Sequence, residues 1–210
     1  ALLWNFLYTG DMEYAEKMWP VLNRHLEWEK RNFDPDDNGL YDSYAMIWPS
    51  DGLYYNGGEV THSSAYHYRS NKIAAKLANE LGRDPEKYKN EAEQIKKSMN
   101  KALWLDKKGW YAEYKDRLGN KRTHDSPALW TIYHSIDKGV TNKFQEYQQL
   151  RYVDTEIPHL PVKGENVPEG LSIPSTTDWH PYTWSVNNVA ISEATHTALA
   201  YWKAGRREKA

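Results

Sequence analysis

Leu81-Gly82-Arg83-Asp84 lies between two helical patterns and shows how the rest of this chain is organised. A glycine just after a helix supplies the left-handed residue that closes it, and a following Asp caps the next helix. Junctions of the same kind recur at similar intervals around Gly10, Gly139 and Gly205. Pairs of helices repeated along a chain are typical of helical-hairpin arrays, so the sequence predicts an all-α fold.

The helical patterns before and after the glycine junctions differ in composition. Residues 61–68 precede a junction and are small, polar or aromatic, whereas residues 87–91 follow one and are mostly charged. We therefore expect the first kind of helix to form an inner ring and the second an outer ring facing water. The predicted helices are residues 1–9, 12–33, 59–81, 85–104, 127–137, 142–153 and 184–204, with another beginning at 206.

Long connections lead from each outer helix to the next inner helix, over about residues 34–58, 105–124 and 154–183. Connections of this length in a compact domain are commonly functional. These are dense in aromatic and acidic residues, and a small β-hairpin is expected near 109–122. The sequence thus predicts one rim, at the N-termini of the inner helices, that carries the functional loops.

The composition favours a glycan-binding surface and excludes several other functions. The chain has 210 residues, a net charge of −2 and no cysteine, which excludes disulfides and zinc–thiolate sites and gives no sign of a nucleic-acid partner. No apolar run is long enough to span a membrane. The 10 Trp and 16 Tyr against 3 Phe indicate amphipathic ring faces on which sugars stack, although helix interfaces also use such residues.

Acidic residues in or beside the long loops are candidates for carbohydrate chemistry. Hydrolysis of a glycosidic bond needs two carboxyl groups, one kept protonated and one ionised. Glu59 follows Gly57-Gly58 and is predicted to open an inner helix, where the helix dipole favours the charged carboxylate. Six further acidic candidates lie in or beside these loops: Asp42, Asp51, Glu113, Asp125, Glu169 and Asp178.

Two short patterns resemble metal sites. Asp34, Asp36 and Asn38 place oxygens like the first half of a calcium loop, but Ala45 stands where the bidentate glutamate belongs, so an Asp/Asn-rich turn is the alternative. Glu59-x-x-His62 and Glu193-x-x-His196 match the pair used by di-iron four-helix bundles. This chain has more helices joined by long aromatic loops, which favours coincidence. No metal or cofactor is therefore predicted, with calcium as the alternative.

The chain resembles the six-hairpin glycosidases, the (α/α)6 superfamily, in three places. Tyr8-Thr9-Gly10-Asp11, followed by a helix ending near Trp28, is similar to their barrel. Residues 58–66, Gly-Glu-Val-Thr-His-Ser-Ser-Ala-Tyr, resemble an inner helix of the debranching-like members. Residues 181–185, Pro-Tyr-Thr-Trp-Ser, are similar to their late inner helix. The whole chain also resembles a polysaccharide-utilisation branch of this superfamily.

This resemblance implies a partial (α/α)6 domain over residues 1–210. About seven to eight of twelve helices are expected, residues 1–9 matching the fifth and 206–210 the start of the twelfth. It also implies a glycoside hydrolase that is periplasmic or secreted as a full-length protein. The general acid of debranching-like relatives falls upstream of Ala1, and apolar ends left uncovered, beside Leu2, Leu3 and Phe6, favour self-association.

Roles for individual residues follow from the same resemblance. Asp178 or Glu169 is the expected base, and Glu59 the third member of the catalytic set. An oligo- or polysaccharide would contact Trp48, Asp51, Tyr55, Trp110, Glu113, His124, Trp179 and Tyr182. We expect Glu59, Asp178, Trp179 and Tyr182 to share one cleft.

Two other function classes remain open at this point. A sugar epimerase or polysaccharide lyase uses similar helical toroids with His or Tyr as the proton-transfer group. Histidines that keep this alternative open are His62, His67, His124, His159 and His180. A non-catalytic glycan-binding barrel is the third alternative, and it would bind a glycan without cleaving it.

Overall fold

The computed structural model describes residues 2–43, 57–179 and 188–210, except for the side chain of Leu2. Its helices are α1 (Leu2–Thr9), α2 (Met12–Phe33), α3 (Thr61–Glu80), α4 (Glu86–Ala102), α5 (Leu129–Asp137), α6 (Lys143–Thr155) and α7 (Ile191–Lys203), with a 3₁₀ turn at Arg207–Lys209. The short strands are β1 (Asp42–Ser43), β2 (Gly58–Val60), β3 (Trp104–Leu105), β4 (Trp110–Tyr111), β5 (Tyr114–Lys115), β6 (Thr123–His124), β7 (His159–Pro161) and β8 (Ser172–Pro174).

The glycine junctions have the predicted conformation. Gly82 has φ +66°, and the Arg83 amide donates to the Ala78 carbonyl at 2.8 Å, which closes α3 in a Schellman motif. Gly10, Gly139 and Gly205 also have positive φ. The next helices are capped as expected in two places. Tyr14 N donates to the Asp11 carboxylate, and Glu86 N donates to that of Asp84, both at 2.9 Å.

The helices separate into the two predicted layers. Helix α5 packs between α3 and α7, whereas α4 packs on α3 and α6 packs on α5. Helices α3, α5 and α7 are therefore consecutive members of an inner layer, with α4 and α6 outside it. Residues 61–68 of α3 are mostly buried or half-buried, and residues 87–91 of α4 are mostly exposed. The prediction of inner and outer helices is confirmed.

Three apolar clusters hold the layers together. One surrounds α5, one joins α1, α2 and α3, and one lies between α3, α4 and the small strands. The first includes Leu129 and Ile132 of α5, Leu150 of α6 and Ala200 of α7. Among the described residues, no helix is both long and apolar enough to cross a membrane.

A four-stranded antiparallel sheet, in the order β1-β2-β5-β6, lies beside the N-terminus of α3. Glu59 is paired with Asp42 on one side and Lys115 on the other. Strands β5 and β6 form the hairpin expected near 109–122, with Tyr114 opposite His124. Gly58 has φ +147°, and a Cβ there would lie 2.4 Å from the Lys115 carbonyl oxygen, so this register requires glycine.

One predicted helix start is wrong, and one predicted helix is not continuous over its described residues. Glu59 lies in β2, and α3 begins only at Thr61, because the Val60 and Thr61 amides donate to the carbonyls of Tyr41 and Glu113. Helix α7 begins at Ile191, so the helix predicted over 184–204 does not include residues 188–190. Residues 184–187 lie outside the described ranges, and Asn188 is held non-helical because its carbonyl accepts from the Thr176 amide at 2.8 Å.

Candidate active site

Asp178 lies in the loop after β8, beside the outer helix α6. Burial raises the pKa of its carboxyl above the usual range, while the Tyr152 hydroxyl and the charge of Lys108 act in the opposite direction. Its Oδ1 atom is buried and has no hydrogen-bond partner among the described residues. A buried carboxylate oxygen without a partner is costly in a structural role, so it marks a place where a proton or ligand is expected.

Trp179 and Trp110 lie close to Asp178 through a shared segment, residues 125–127. The Trp179 indole donates to the Ser126 carbonyl at 2.8 Å, and the Trp110 indole donates to the Asp125 carbonyl at 2.7 Å. Tyr152 completes the group, because its ring lies 4.4 Å from that of Trp110 and its hydroxyl donates to Pro127 O. The structure therefore brings Asp178, Trp179 and Trp110 into one neighbourhood.

Glu113 has a different position from the one expected of a sugar ligand. Its side chain is 0% exposed, and both oxygens accept hydrogen bonds inside the protein. The donors are the Ala128 amide and the Thr131 hydroxyl, each at 2.7 Å, and the Trp130 indole. Burial raises the pKa of Glu113 to about 7, against these hydrogen bonds, which lower it. Direct contact with a sugar is not supported by this geometry.

Glu59 belongs to a second group, on the sheet. Its Oε1 accepts from the Asn38 side chain at 2.8 Å, and its Oε2 lies 3.8 Å from the Lys115 ammonium. Asp42, its neighbour on β1, pairs with Arg117. No described contact joins this group to Asp178 or Trp179. The shared cleft that includes Glu59 therefore remains a prediction without a contact to support it.

Glu169 and His124 lie apart from Asp178. Glu169 is exposed in the loop between β7 and β8, near Pro161 and Leu171. His124 stacks on Tyr114 with 3.9 Å between ring centroids, and its Nε2 lies 3.0 Å from Asp116. The remaining predicted sugar contacts, Trp48, Asp51, Tyr55 and Tyr182, lie outside the described residues, as does His180.

The Asp34 segment forms an Asp/Asn-rich turn. The Asp34 carboxylate accepts from the Asn38 and Gly39 amides at 2.9 and 3.1 Å, and burial raises its pKa to about 6. The Asn38 side chain turns its amide group toward Asp36 and Glu59, so donors lie where a cation would need oxygen ligands. The described residues contain no group of three or more His, Asp or Glu side chains that could hold a metal ion.

A cluster of histidine and tyrosine between the inner helices was largely missed from the sequence. His134 of α5 lies 6.0 Å from His62 of α3 and 5.5 Å from His196 of α7, measured between ring centroids. Burial lowers the pKa of His62 to about 4 and that of His134 to about 2, so both are neutral at pH 7. The presence of a histidine on each of α3, α5 and α7 was the sequence signal that could have predicted this cluster. Tyr66 and Tyr133 complete the cluster.

A cavity of about 530 Å³ lies elsewhere, between α1, α2 and α3. Its lining combines Trp4, Leu22 and Ile73 with Glu29 and His67. It contains none of the residues predicted to bind sugar, so the cavity and the Asp178 neighbourhood are separate features.

Comparison with solved structures shows the fold. A GH78-family rhamnosidase of Bacillus sp. GL1 matches 99% of this chain at 17% identity and a TM-score of 0.69. A GH63 mannosylglycerate hydrolase from Thermus thermophilus matches the same share at 13% identity and a TM-score of 0.71. A rhamnosidase from Klebsiella oxytoca with rhamnose bound matches 99% of this chain at 16% identity and a TM-score of 0.65. The match spans only 19%, 64% and 34% of those three chains.

Sequence comparison identifies the family. No curated protein sequence matches this chain. The family model of the bacterial alpha-L-rhamnosidase six-hairpin glycosidase domain matches residues 3–143. The matched region includes the glycine junctions after α1, α3 and α5, which carried the fold prediction. Since it exceeds half of the sequence, the chain belongs to the family of bacterial alpha-L-rhamnosidase six-hairpin glycosidase domains.

Proposed function

We propose that this chain forms part of the catalytic domain of a glycoside hydrolase and that Asp178 is its general base. The observation that carries the proposal is the Oδ1 atom of Asp178, which is buried and has no hydrogen-bond partner among the described residues, in the residue that precedes Trp179. In acid/base hydrolysis a carboxylate removes a proton from water as that water attacks the sugar. A raised pKa makes the Asp178 carboxylate a stronger base than an exposed one.

Asp178 is preferred to Glu169 because of their surroundings. Asp178 is half-buried next to aromatic side chains that could stack on a sugar, whereas Glu169 is exposed on a hairpin loop. The general acid is assigned to a carboxyl group outside the described residues. Glu113 is unsuitable because its oxygens are hydrogen-bonded in the core. Glu59 also has a buried oxygen, Oε2, without a hydrogen-bond partner among the described residues, but no described contact places it near Asp178.

The substrate class comes from the relatives. The matching family and two of the structures are named for rhamnosidase, and the third for hydrolysis of mannosylglycerate. L-Rhamnose is 6-deoxy-L-mannose and belongs to the opposite enantiomeric series from D-mannose, so a single chiral site would accept one of these two sugars and not both. We therefore propose a glycoside of rhamnose or mannose as substrate, with a sugar face on Trp179 or Trp110.

The test is product analysis with the complete protein that contains this chain. Aryl α-L-rhamnoside, aryl α-D-mannoside, mannosylglycerate and a uronic-acid polysaccharide would be incubated separately and followed by NMR. The proposal predicts a free reducing sugar from one of the three rhamnose or mannose glycosides. An unsaturated uronic product would identify a lyase, inversion at a non-anomeric carbon an epimerase, and binding without turnover a glycan-binding barrel. Each of these outcomes contradicts hydrolysis.

A further inference from the structure

Glu113 connects the hairpin of β5 and β6 with the starts of two helices. Its backbone amide donates to the His124 carbonyl at 2.8 Å, and its carbonyl accepts from the Thr61 amide at 3.2 Å. Its side chain accepts from the Ala128 amide and the Thr131 hydroxyl. These contacts join the hairpin and the starts of the inner helices α3 and α5. The start of α5 has no capping side chain of its own, so Glu113 satisfies its free amide instead.

A continuous set of contacts leads from Glu113 to the Asp178 loop. The Trp130 indole donates to Glu113, and the Trp130 ring meets Trp179 edge to face with 6.2 Å between centroids. The same helix start holds the loop through its backbone, since the Leu129 amide donates to the Thr176 carbonyl at 2.9 Å. The start of α5 is therefore the surface on which the loop carrying Asp178 rests.

We propose that Glu113 is a positioning residue of this site, whose carboxylate fixes the start of α5 and the Trp130 indole and thereby the geometry of Asp178 and Trp179. The inference rests on the proposed function for its catalytic consequence. Its structural part, the coupling of Glu113 to Trp179, stands on the contacts alone. Glu113 does not touch substrate in this arrangement, because its side chain is fully buried.

The surroundings of Glu113 are built for its ionised form. All three groups that are hydrogen-bonded to the Glu113 carboxylate are donors. Only one of them, the Thr131 hydroxyl, can turn to accept a hydrogen bond from a neutral carboxyl group. Burial nevertheless raises the pKa of Glu113 to about 7, and the charge of Glu193 on α7 adds to this. The other titratable groups that interact with it electrostatically are Tyr133 of α5 and Tyr152 of α6. Loss of the Glu113 charge below neutral pH should thus loosen the contact with Trp130.

The experiment records the indole N–H resonances of ¹⁵N-labelled protein from pH 5.5 to 8.5. In the wild type, the Trp130 and Trp179 resonances should shift together, with a midpoint near the pKa of about 7 given for Glu113. Glu113→Gln should abolish this titration and displace the Trp179 resonance. Trp130→Phe keeps a ring but removes the donor, so it should also displace the Trp179 resonance. In either variant, an unmoved Trp179 resonance overturns the proposal.

Ser135→Ala is the matched control. It removes a buried side-chain hydrogen bond to Gln149 from the same helix, away from Glu113, so it should leave the Trp179 titration unchanged. In the complete protein, Trp130→Phe should lower kcat by roughly 10- to 100-fold with a smaller change in KM, since small misplacements of catalytic groups are costly. Unchanged kcat in an active enzyme overturns the catalytic part. If the wild-type protein cleaves no glycoside, the proposed function is wrong. The Trp179 resonance still tests the coupling of Glu113 to Trp179, because that measurement does not depend on activity.

Discussion

The hydroxyl group of Tyr133 on α5 donates a hydrogen bond to the carboxylate of Glu193 on α7. Tyr133 is 4% exposed and Glu193 2% exposed, so the bond lies inside the inner layer. The Tyr133 ring also stacks on His196, one turn further along α7, with 4.5 Å between centroids. Neighbouring inner helices are thus joined by polar contacts as well as by apolar packing.

Tyr133→Phe should lower the free energy of unfolding by about 1.5–3 kcal/mol, as expected for a buried hydrogen bond to a charged group. The ring and its stacking on His196 remain, so the change isolates the hydroxyl. Tyr147→Phe on the exposed face of α6 is the control and should stay within about 0.5 kcal/mol of wild type. Equal effects of the two substitutions, measured by urea unfolding, would contradict the assignment of this bond.

Gly58→Ala should be among the most damaging single-methyl additions in the described residues. The new Cβ would lie 2.4 Å from the Lys115 carbonyl oxygen and would require positive φ in an alanine. We expect a loss of more than about 2 kcal/mol, since strain and lost β2–β5 pairing add together. Gly119→Ala also has positive φ but open space around it, and should cost about 1 kcal/mol. Thermal unfolding of both variants measures the difference, which should vanish if β2 does not pair with β5.

The buried histidines make the inner layer sensitive to acid. His62 and His134 have native pKa values lowered to about 4 and about 2, whereas the unfolded imidazole titrates near pH 6.5. Their stabilising contribution is therefore complete above about pH 6.5 and is lost as the pH falls, toward pH 4 for His62 and pH 2 for His134. Between these limits each histidine lowers the free energy of unfolding by up to about 1.4 kcal/mol for each pH unit of acidification.

His134→Phe should flatten this dependence, because it removes one titrating group while keeping a flat ring beside Tyr66 and Tyr133. His159→Gln, on the exposed strand β7, is the control and should leave the slope unchanged. The measurement is the free energy of unfolding at pH 7.0, 6.0 and 5.0. An identical acid slope in wild type and His134→Phe would show that His134 is already protonated or exposed in the folded protein.

The fold could be read from the sequence because its signals are local. Each glycine junction is a few residues long, and the positive φ of Gly82 follows from chain chemistry next to it. The alternation of small or polar with charged helices is also local, and it gave the inner and outer layers. The wrong helix start at Glu59, and the non-helical residues 188–190 within the helix predicted over 184–204, come from long-range pairing. Backbone bonds to Tyr41, Glu113 and Thr176 fixed those segments in other conformations.

The site was only partly readable, for the same reason. Asp178, Trp179 and Trp110 were singled out as loop residues, and they do lie together. Glu113 was predicted to contact sugar because it lies in one of the long loops. Its role at the start of α5 depends on partners 15 and more positions away, which composition and spacing do not reveal.

The most direct test of the proposed function compares Asp178→Asn with Glu169→Gln in the complete protein, on whichever glycoside it hydrolyses. Both changes remove one carboxylate and keep the size of the side chain. We expect Asp178→Asn to lower kcat by at least about 100-fold with little change in glycan binding, which is the signature of a lost proton acceptor. Glu169→Gln should stay within about twofold of wild type. Full activity in Asp178→Asn would contradict the assignment of Asp178 as the base, and loss of activity only in Glu169→Gln would transfer that role to Glu169.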